Sequence, residues 1–540
     1  MNLTLLNTRF LFLEITSFLV ISFILVSCAQ IRPLTGGKKD VIPPKEMGST
    51  PTNGTNHFVG KKIVVQFDEF IKLTNVTSQL IVSPLMEKTP EVLVKGKKLI
   101  IQLKSPLAEN KTYCLNFGNA ISDITENNVI PNYKYVFSTG SFIDSLSYSG
   151  TVINAFDLSP EENCYVLLYD QFEDSIPLKK LPKYVALTDK KGNYSLTNIA
   201  HGKYKLFAIK DINSNYLFDL PNEKIAFKIG PVFIDSVSTN NIIHLFEETN
   251  QKQFLKKAEN KEFGKIDIRL NLPTKTLNIK PLKYSFKKQW YLEEKNTAGD
   301  SLTIWLLVKD VFKNLKIEIK DGQSIIDTAN VKIKQSNGFK DSTLLVSTNA
   351  KGSFELNKNL RITLARPYDH FQKKNLQFYE DSVLTPTPLI KKVGLNKLEL
   401  DYAFKENTEY ELFIPPATFK DILGLKNDTV YTKFKTKKES AYGVINLSIS
   451  PKFSENYIVQ LFKKNQLIKE TFFNGNANVQ YNYLLPGAYE LKLIIDTDNN
   501  QKWSTGNYLK GLQPEKVIFY EKKIQLKANW DNDISWTLKK

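Results

Sequence analysis

Tryptophan, methionine, cysteine and histidine are all scarce in this chain of 540 residues, which holds 5 Trp, 3 Met, 3 Cys and 4 His. His57, His201, His244 and His370 stand far apart, with no H-E-x-x-H and no cysteine pair to complete a zinc site, so the common zinc chemistries are not expected. No G-x-S-x-G elbow, P-loop or G-x-G-x-x-G follows an apolar strand, and no convincing amphipathic helix is present for one to open. Beyond residue 27 no apolar run reaches the 18 residues or so that a membrane-spanning helix needs. The adjacent acids Asp68 and Glu69 in "QFDEFI" would point to opposite faces of a strand, which suits a strand-end turn better than a pair converging on a glycosidic bond. An enzyme is not expected.

What the chain has in quantity is Phe (34) and Tyr (24), within a composition that is 42% hydrophobic. Aromatic side chains suit pleated sheets, and the length is several times what one hydrophobic core supports, so several β-domains are expected. The formal charge of +17 would attract anionic surfaces. Its lysines are dispersed, as in "KKIVV", "VKGKKLI" and "YTKFKTKK", and form neither a dense basic block nor a nucleic-acid motif. A solvated basic surface is the reading, without a nucleic-acid partner.

The N-terminus differs in kind. "ITSFLVISFILVS" is an apolar run of signal-peptide length that leads into "LVSC". This junction resembles the lipobox of bacterial lipoproteins, which implies cleavage after residue 27 and lipid modification of the Cys28 thiol. The following residues, 28–45, are rich in Gly, Pro and Lys and read as a tether. The seventeen residues after Cys28, fully extended, reach roughly 55 Å. Cys114 and Cys164 lie in alternating apolar runs and are expected to be buried thiols, not a disulfide.

Self-comparison shows a duplication. "LAENKTYCLNFGNAISDITENNVIPNYKYVFSTG" (107–140) aligns with "FKENTEYELFIPPATFKDILGLKNDTVYTKFKTK" (404–437), pairing Tyr113 with Tyr410, Asp123 with Asp421 and Phe137 with Phe434. Downstream, "HGKYKLFAIKDINSNYLFD" and "PGAYELKLIIDTDNNQKWS" each join a Gly-x-Tyr strand to a loop rich in Asp and Asn. Strands of five to seven residues separated by polar turns predict an all-β chain of tandem β-sandwiches.

The ordered set Cys28, "PLTGGKKDVIPP", "VVQFDEFIKL", "LAENKTYCLNFGNAISDITENN" and "YVFSTG" resembles the Ig-like-domain lipoproteins of Bacteroidota. "GNYSLTNIAHGKYKL" and "YNYLLPGAYELKL" are similar to the prealbumin-like sandwich of carboxypeptidase regulatory-like domains. The resemblance implies a signal peptide at 1–27, a tether at 28–45, Ig-like sandwiches at 46–141 and 352–438, and prealbumin-like sandwiches at 146–250 and 441–540. A fifth β-domain of uncertain type is expected at 255–350.

The doubled loop is the candidate site. D-x-[DN]-x-[DN] delivers side-chain oxygens to one side of a tight turn, as calcium requires. Asp211, Asn213, Asn215 and Asp219 fit that spacing, as do Asp496, Asp498 and Asn500. The first loop would be the stronger, because Ser504 stands where Asp219 does. Against an ion, position six is Tyr216 or Gln501 where such loops want glycine. The alternative is an Asx-rich turn capping its own backbone.

Together these features suggest a non-catalytic lipoprotein anchored in the outer membrane. It would act as an interaction or scaffolding module towards other envelope proteins, as an accessory of an outer-membrane β-barrel assembly or export machinery, and no small-molecule substrate is identified. The neutral-to-basic "AQIRPL" after Cys28 favours the periplasmic face over the cell surface. The alternative is a surface carbohydrate-binding or adhesin-type protein, and exposure of Trp290, Trp305, Trp503, Trp530 and Trp536 would discriminate.

Overall fold

A computed structural model describes residues 39–286, 289–308, 313–334, 343–451 and 453–538. Cys28 and the segment before it lie outside these. The tandem β-sandwich organisation expected from the sequence is what the chain adopts: strands follow one another throughout, and no helix among the described residues exceeds four residues. The chain divides into two compact units, residues 1–145 and 146–540.

In the first unit, Lys62–Phe67 and Lys98–Gln102 pair antiparallel in the middle of a four-stranded sheet, flanked by Glu46–Thr50 and Glu91–Lys95. Alternation decides which faces turn inward: Ile63, Val65, Phe67, Leu99 and Ile101 are all at most 1% exposed. The opposing sheet orders Ile81–Ser83, Thr112–Asn116 and Lys134–Ser138. Tyr113 stacks on Phe137 between the layers with ring centroids 5.3 Å apart, and the Tyr113 hydroxyl accepts the Ala108 N–H. Asp123, fully buried, caps the turn after its strand by accepting the N–H groups of Glu126, Asn127 and Asn128. Burial pushes its carboxyl up, but the backbone donors outweigh this and hold it below the usual range.

The second unit contains the copy. Leu360–Leu364 and Lys397–Asp401 pair as the central strands of a four-stranded sheet, and Glu409–Ile414 pairs with Val430–Thr436 in the facing one. Tyr410 stacks on Phe434 at 5.6 Å and accepts the Lys405 N–H, as Tyr113 accepts Ala108. Asp421 accepts the N–H groups of Leu423 and Leu425, and takes an ion pair from Arg366 that Asp123 is not seen to make.

The other pair of sandwiches shares a less common feature. Leu146–Asn154 runs parallel to Ser238–Glu247, and Gly443–Ser450 runs parallel to Asp531–Thr537. In each, the Gly-x-Tyr strand (Gly202–Lys210 or Gly487–Asp496) is central to the facing sheet. One difference separates them: Lys224–Phe227 also pairs with Ser238–Glu247, which joins the two sheets of the earlier sandwich along one edge. Between the copies, residues 255–334 form a four-stranded and a three-stranded sheet around Ile266, Ile304, Leu315 and Ile317.

Candidate functional site

Each Asp/Asn loop begins where its Gly-x-Tyr strand ends. Asp211 accepts the N–H groups of Ser214 and Tyr216, both at 2.6 Å, and Asp496 accepts those of Asn500 and Gln501 at 3.1 and 3.0 Å. Tyr216 has φ 61° and Gln501 φ 60°, while two positions earlier Ser214 and Asn499 have 58° and 56°. Both loops therefore make the left-handed turn without glycine. The carboxylate bond to the sixth N–H holds a conformation that side-chain sterics disfavour.

Both loops are closed by an acid that the sequence analysis missed. Glu223, 1% exposed, accepts the N–H groups of Ile212, Asp219 and Leu220, each at 3.0 Å. Glu515, 5% exposed, accepts those of Thr497 at 2.6 Å and Ser504 at 2.9 Å. The two glutamates do the same work from the downstream side of loops of unequal length: Glu223 follows Asp219 by four positions and Glu515 follows Ser504 by eleven. The signal was present as "EKIAF" at 223–227 and "EKVIF" at 515–519.

Where the loops differ is in charge. In the first, Asp219 is engaged by the side-chain amides of Asn213 (3.2 Å) and Asn215 (2.8 Å). In the second, Asp496, Asp498 and Glu515 each present an oxygen within 4.8 Å of the others, the one such grouping of three among the described residues. Asn500 and Ser504 donate to Asp498 at 2.9 and 2.6 Å. Each carboxylate offers one oxygen to a common point, half or fewer of the six to eight that calcium takes, and the oxygens of all three already accept N–H or O–H donors of the loop. Each loop stands as a turn satisfied by its own carboxylates.

The longer second loop docks within the second unit. Tyr508 packs edge-on against Phe207 and Phe227 at 5.2 and 5.1 Å, and its N–H donates to the Glu248 carboxylate. Thr505 donates to the Glu247 carbonyl at 2.7 Å and Gln513 to the Phe227 carbonyl at 2.9 Å. Beside this clasp, Leu158 and Trp503 pack with Ile458, Ile494 and Val517, and Phe156 meets Trp503 at 5.0 Å. Lys492, only 3% exposed, places its ammonium 3.0 Å from the Phe156 ring centroid. Burial pushes its pKa down to about 8, opposed by the charge of Asp157.

The remaining candidates resolve separately. Cys114 and Cys164 are buried thiols, the latter pushed up to about 11 by burial. Asp68 accepts the Lys45 N–H at 2.8 Å at the end of its strand. Glu69 is raised by desolvation and by Asp123, Asp68, Asp40 and Glu126. Trp290, Trp305 and Trp536 are buried and Trp503 is partly so, whereas Trp530 is 53% exposed.

Residues 40–139 match the family model of a bacterial Ig-like domain. No curated protein matches the chain. Solved structures similar to it include the N-terminal Ig1-2 module of the Drosophila receptor protein tyrosine phosphatase DLAR, at 12% identity over 35% of this chain and 100% of that one, TM-score 0.16. The Bacillus anthracis TIE protein is similar at 11% identity over 94% and 76%, TM-score 0.14. Domains 4–9 of the surface layer protein SbsC are similar at 10% identity over 88% and 78%, TM-score 0.14. Scores of this size leave the fold to be argued from the sheets themselves.

Proposed function

We propose that the protein is a non-catalytic interaction module of the cell envelope, held to the outer membrane through lipid on Cys28 and facing the periplasm, where it binds other envelope proteins. The observation that carries this reading is a paired open edge. Val383–Thr385 is the last strand of one sheet and Leu389–Gly394 the last strand of the other sheet of the same sandwich. Val383, Leu384, Leu389 and Val393 are exposed along them. Lys391 and Lys392 guard the second edge, but Val383–Thr385 carries no charge. An unguarded apolar edge with unpaired backbone groups is a template for strand addition by a partner chain.

The test is affinity purification of the full-length lipidated protein from its native membrane, beside a Leu384→Lys, Leu389→Lys variant. An outer-membrane β-barrel assembly or export complex recovered with the wild type and lost with the variant supports the reading. Equal recovery with both, or recovery of lipid alone, refutes it. The bacterial Ig-like match at 40–139 supports a modular interaction protein.

A further inference from the structure

The last sandwich carries a second surface, independent of that edge. Its three-stranded sheet, Ala477–Leu484, Gly443–Ser450 and Asp531–Thr537, buries Ile445, Leu447, Tyr481 and Trp536 on one face. The other face carries Asn482, Gln480, Asn446 and Asp533 in a continuous hydrogen-bonded row across all three strands. Asn482 donates to Gln480 at 3.2 Å, Gln480 to Asn446 at 3.0 Å, and Asn446 to Asp533 at 2.8 Å. A second row follows, in which Ser448 donates to Asn478 at 2.8 Å and lies opposite Ser535. No lysine or arginine stands on this face, in a chain with a net charge of +17.

The fold does not require this chemistry. The earlier sandwich pairs Thr151 with Ile242 and Ile153 with His244, where this one pairs Val444 with Asp531 and Asn446 with Asp533. At the end of the row, the strand register shifts between Gly443 and Ile445, and Asn482 and Tyr483 are both turned to solvent. Tyr483 has φ 56°, which a bulky residue rarely adopts, and bulges of this kind re-aim side chains. Beside it lies a cleft of about 330 Å³, lined by Tyr442, Val444, Asn482, Tyr483, Asn529 and Asp531, at the lower end of ligand clefts.

We infer that this face and cleft bind a neutral glycan. Carboxamides and carboxylates locked by one another present fixed donors and acceptors, which match the paired hydroxyls of a sugar ring without the entropy of ordering loose side chains. The exposed ring of Tyr483, which lines the cleft, supplies apolar surface of the kind that the C–H face of a pyranose covers. A polyanion is excluded by Asp531 and Asp533, and a hydrophobic peptide by the polar rows.

The experiment is affinity electrophoresis of the whole chain in gels containing dextran, mannan, xylan or a mixed-linkage β-glucan, with heparin as the anionic control, at low and at 0.5 M salt (roughly a 4 Å screening length, by interpolation). Retardation by at least one neutral polymer is expected, insensitive to salt and lost in both the Asn446→Ala and the Tyr483→Ala variants. Both substitutions are at solvent-facing positions, and unchanged melting checks that they fold. Mobility unaffected by every neutral polymer, or retardation by heparin alone that salt removes, overturns the inference. So does retardation that survives both substitutions. Recovery of membrane partners through Leu384 is unaffected by either variant, so failure here and failure of the scaffold reading are distinguishable.

Discussion

Lys492 is buried as a charged group beside the clasp, and replacing it with methionine should strengthen the contact. Its pKa falls from an ordinary 10.5 to about 8 because burial disfavours the ammonium, with Asp157 pulling the other way. At 1.36 kcal/mol per unit, that depression amounts to about 3 kcal/mol. Attraction to the Phe156 ring face works in the opposite direction, as a cation–π contact with the charged form. Because the folded pKa lies below the unfolded one, the unfolded state binds more protons between the two values, and stability rises with pH from about 8 to 10.5. Below pH 8 the lysine is charged in both states and its contribution is flat. Lys492→Met keeps the apolar stem and removes the titration. Melts of the full chain from pH 6 to 10.5, followed by Trp503 fluorescence, should show the variant ahead at pH 7, with the gap closing as pH rises. A gap that stays constant with pH, or a variant less stable at pH 7, would refute the account.

The left-handed sixth positions give opposite predictions in the two loops. Gln501→Gly removes a backbone cost of about 1 kcal/mol and should raise the unfolding midpoint. Tyr216→Gly should lower it, because Tyr216 also packs edge-on against Tyr165 at 4.9 Å. If Asp496, Asp498 and Glu515 hold calcium, an excess of a hundredfold over the dissociation constant adds about 2.7 kcal/mol of stability, and calorimetry with and without chelator should show it in the wild type but not in Asp498→Asn. Identical traces would leave the loop a self-capped turn. Cys28→Ser should shift the protein from washed membranes into the soluble fraction, and its retention there would refute anchoring through lipid. Glu515→Gln should loosen the clasp, because it weakens acceptors for two backbone donors. Faster protease cleavage between 496 and 515 is the expected readout.

The sandwiches were legible because their signals are local. "KIVVQF" and "KKLIIQL" alternate, Tyr113 and Tyr410 repeat with their neighbours, and a turn residue sits between each pair of strands. The loop oxygens at Asp211 and Asp496 were legible for the same reason. Glu223 and Glu515 were not, because they lie at unequal distances downstream and only an alignment continued past the loop brings "EKIAF" and "EKVIF" together. The left-handed turn at position six forms without glycine because an accepted hydrogen bond can hold a tyrosine or glutamine where steric preference alone would not. Lys492 lies in "YELKLIID", whose alternation makes it solvent-facing. A neighbouring sandwich covers it, and nothing local encodes that cover. Which tryptophans are exposed was not legible either: Trp290, Trp305 and Trp536 are buried, and Trp530 is open to solvent.

The clasp also changes what a break in the chain means. Phe207, Phe227 and Glu248 are tied to Tyr508 across some 260 to 300 positions of sequence, with two further sandwiches strung between. Bringing such distant segments together costs entropy that grows only as the logarithm of the separation, so a well-packed contact can hold it closed. A protease that nicks a surface turn in either intervening sandwich therefore makes two fragments that still travel as one particle, parting only when the clasp melts. For such a molecule, damage at the surface and loss of assembly become separate events.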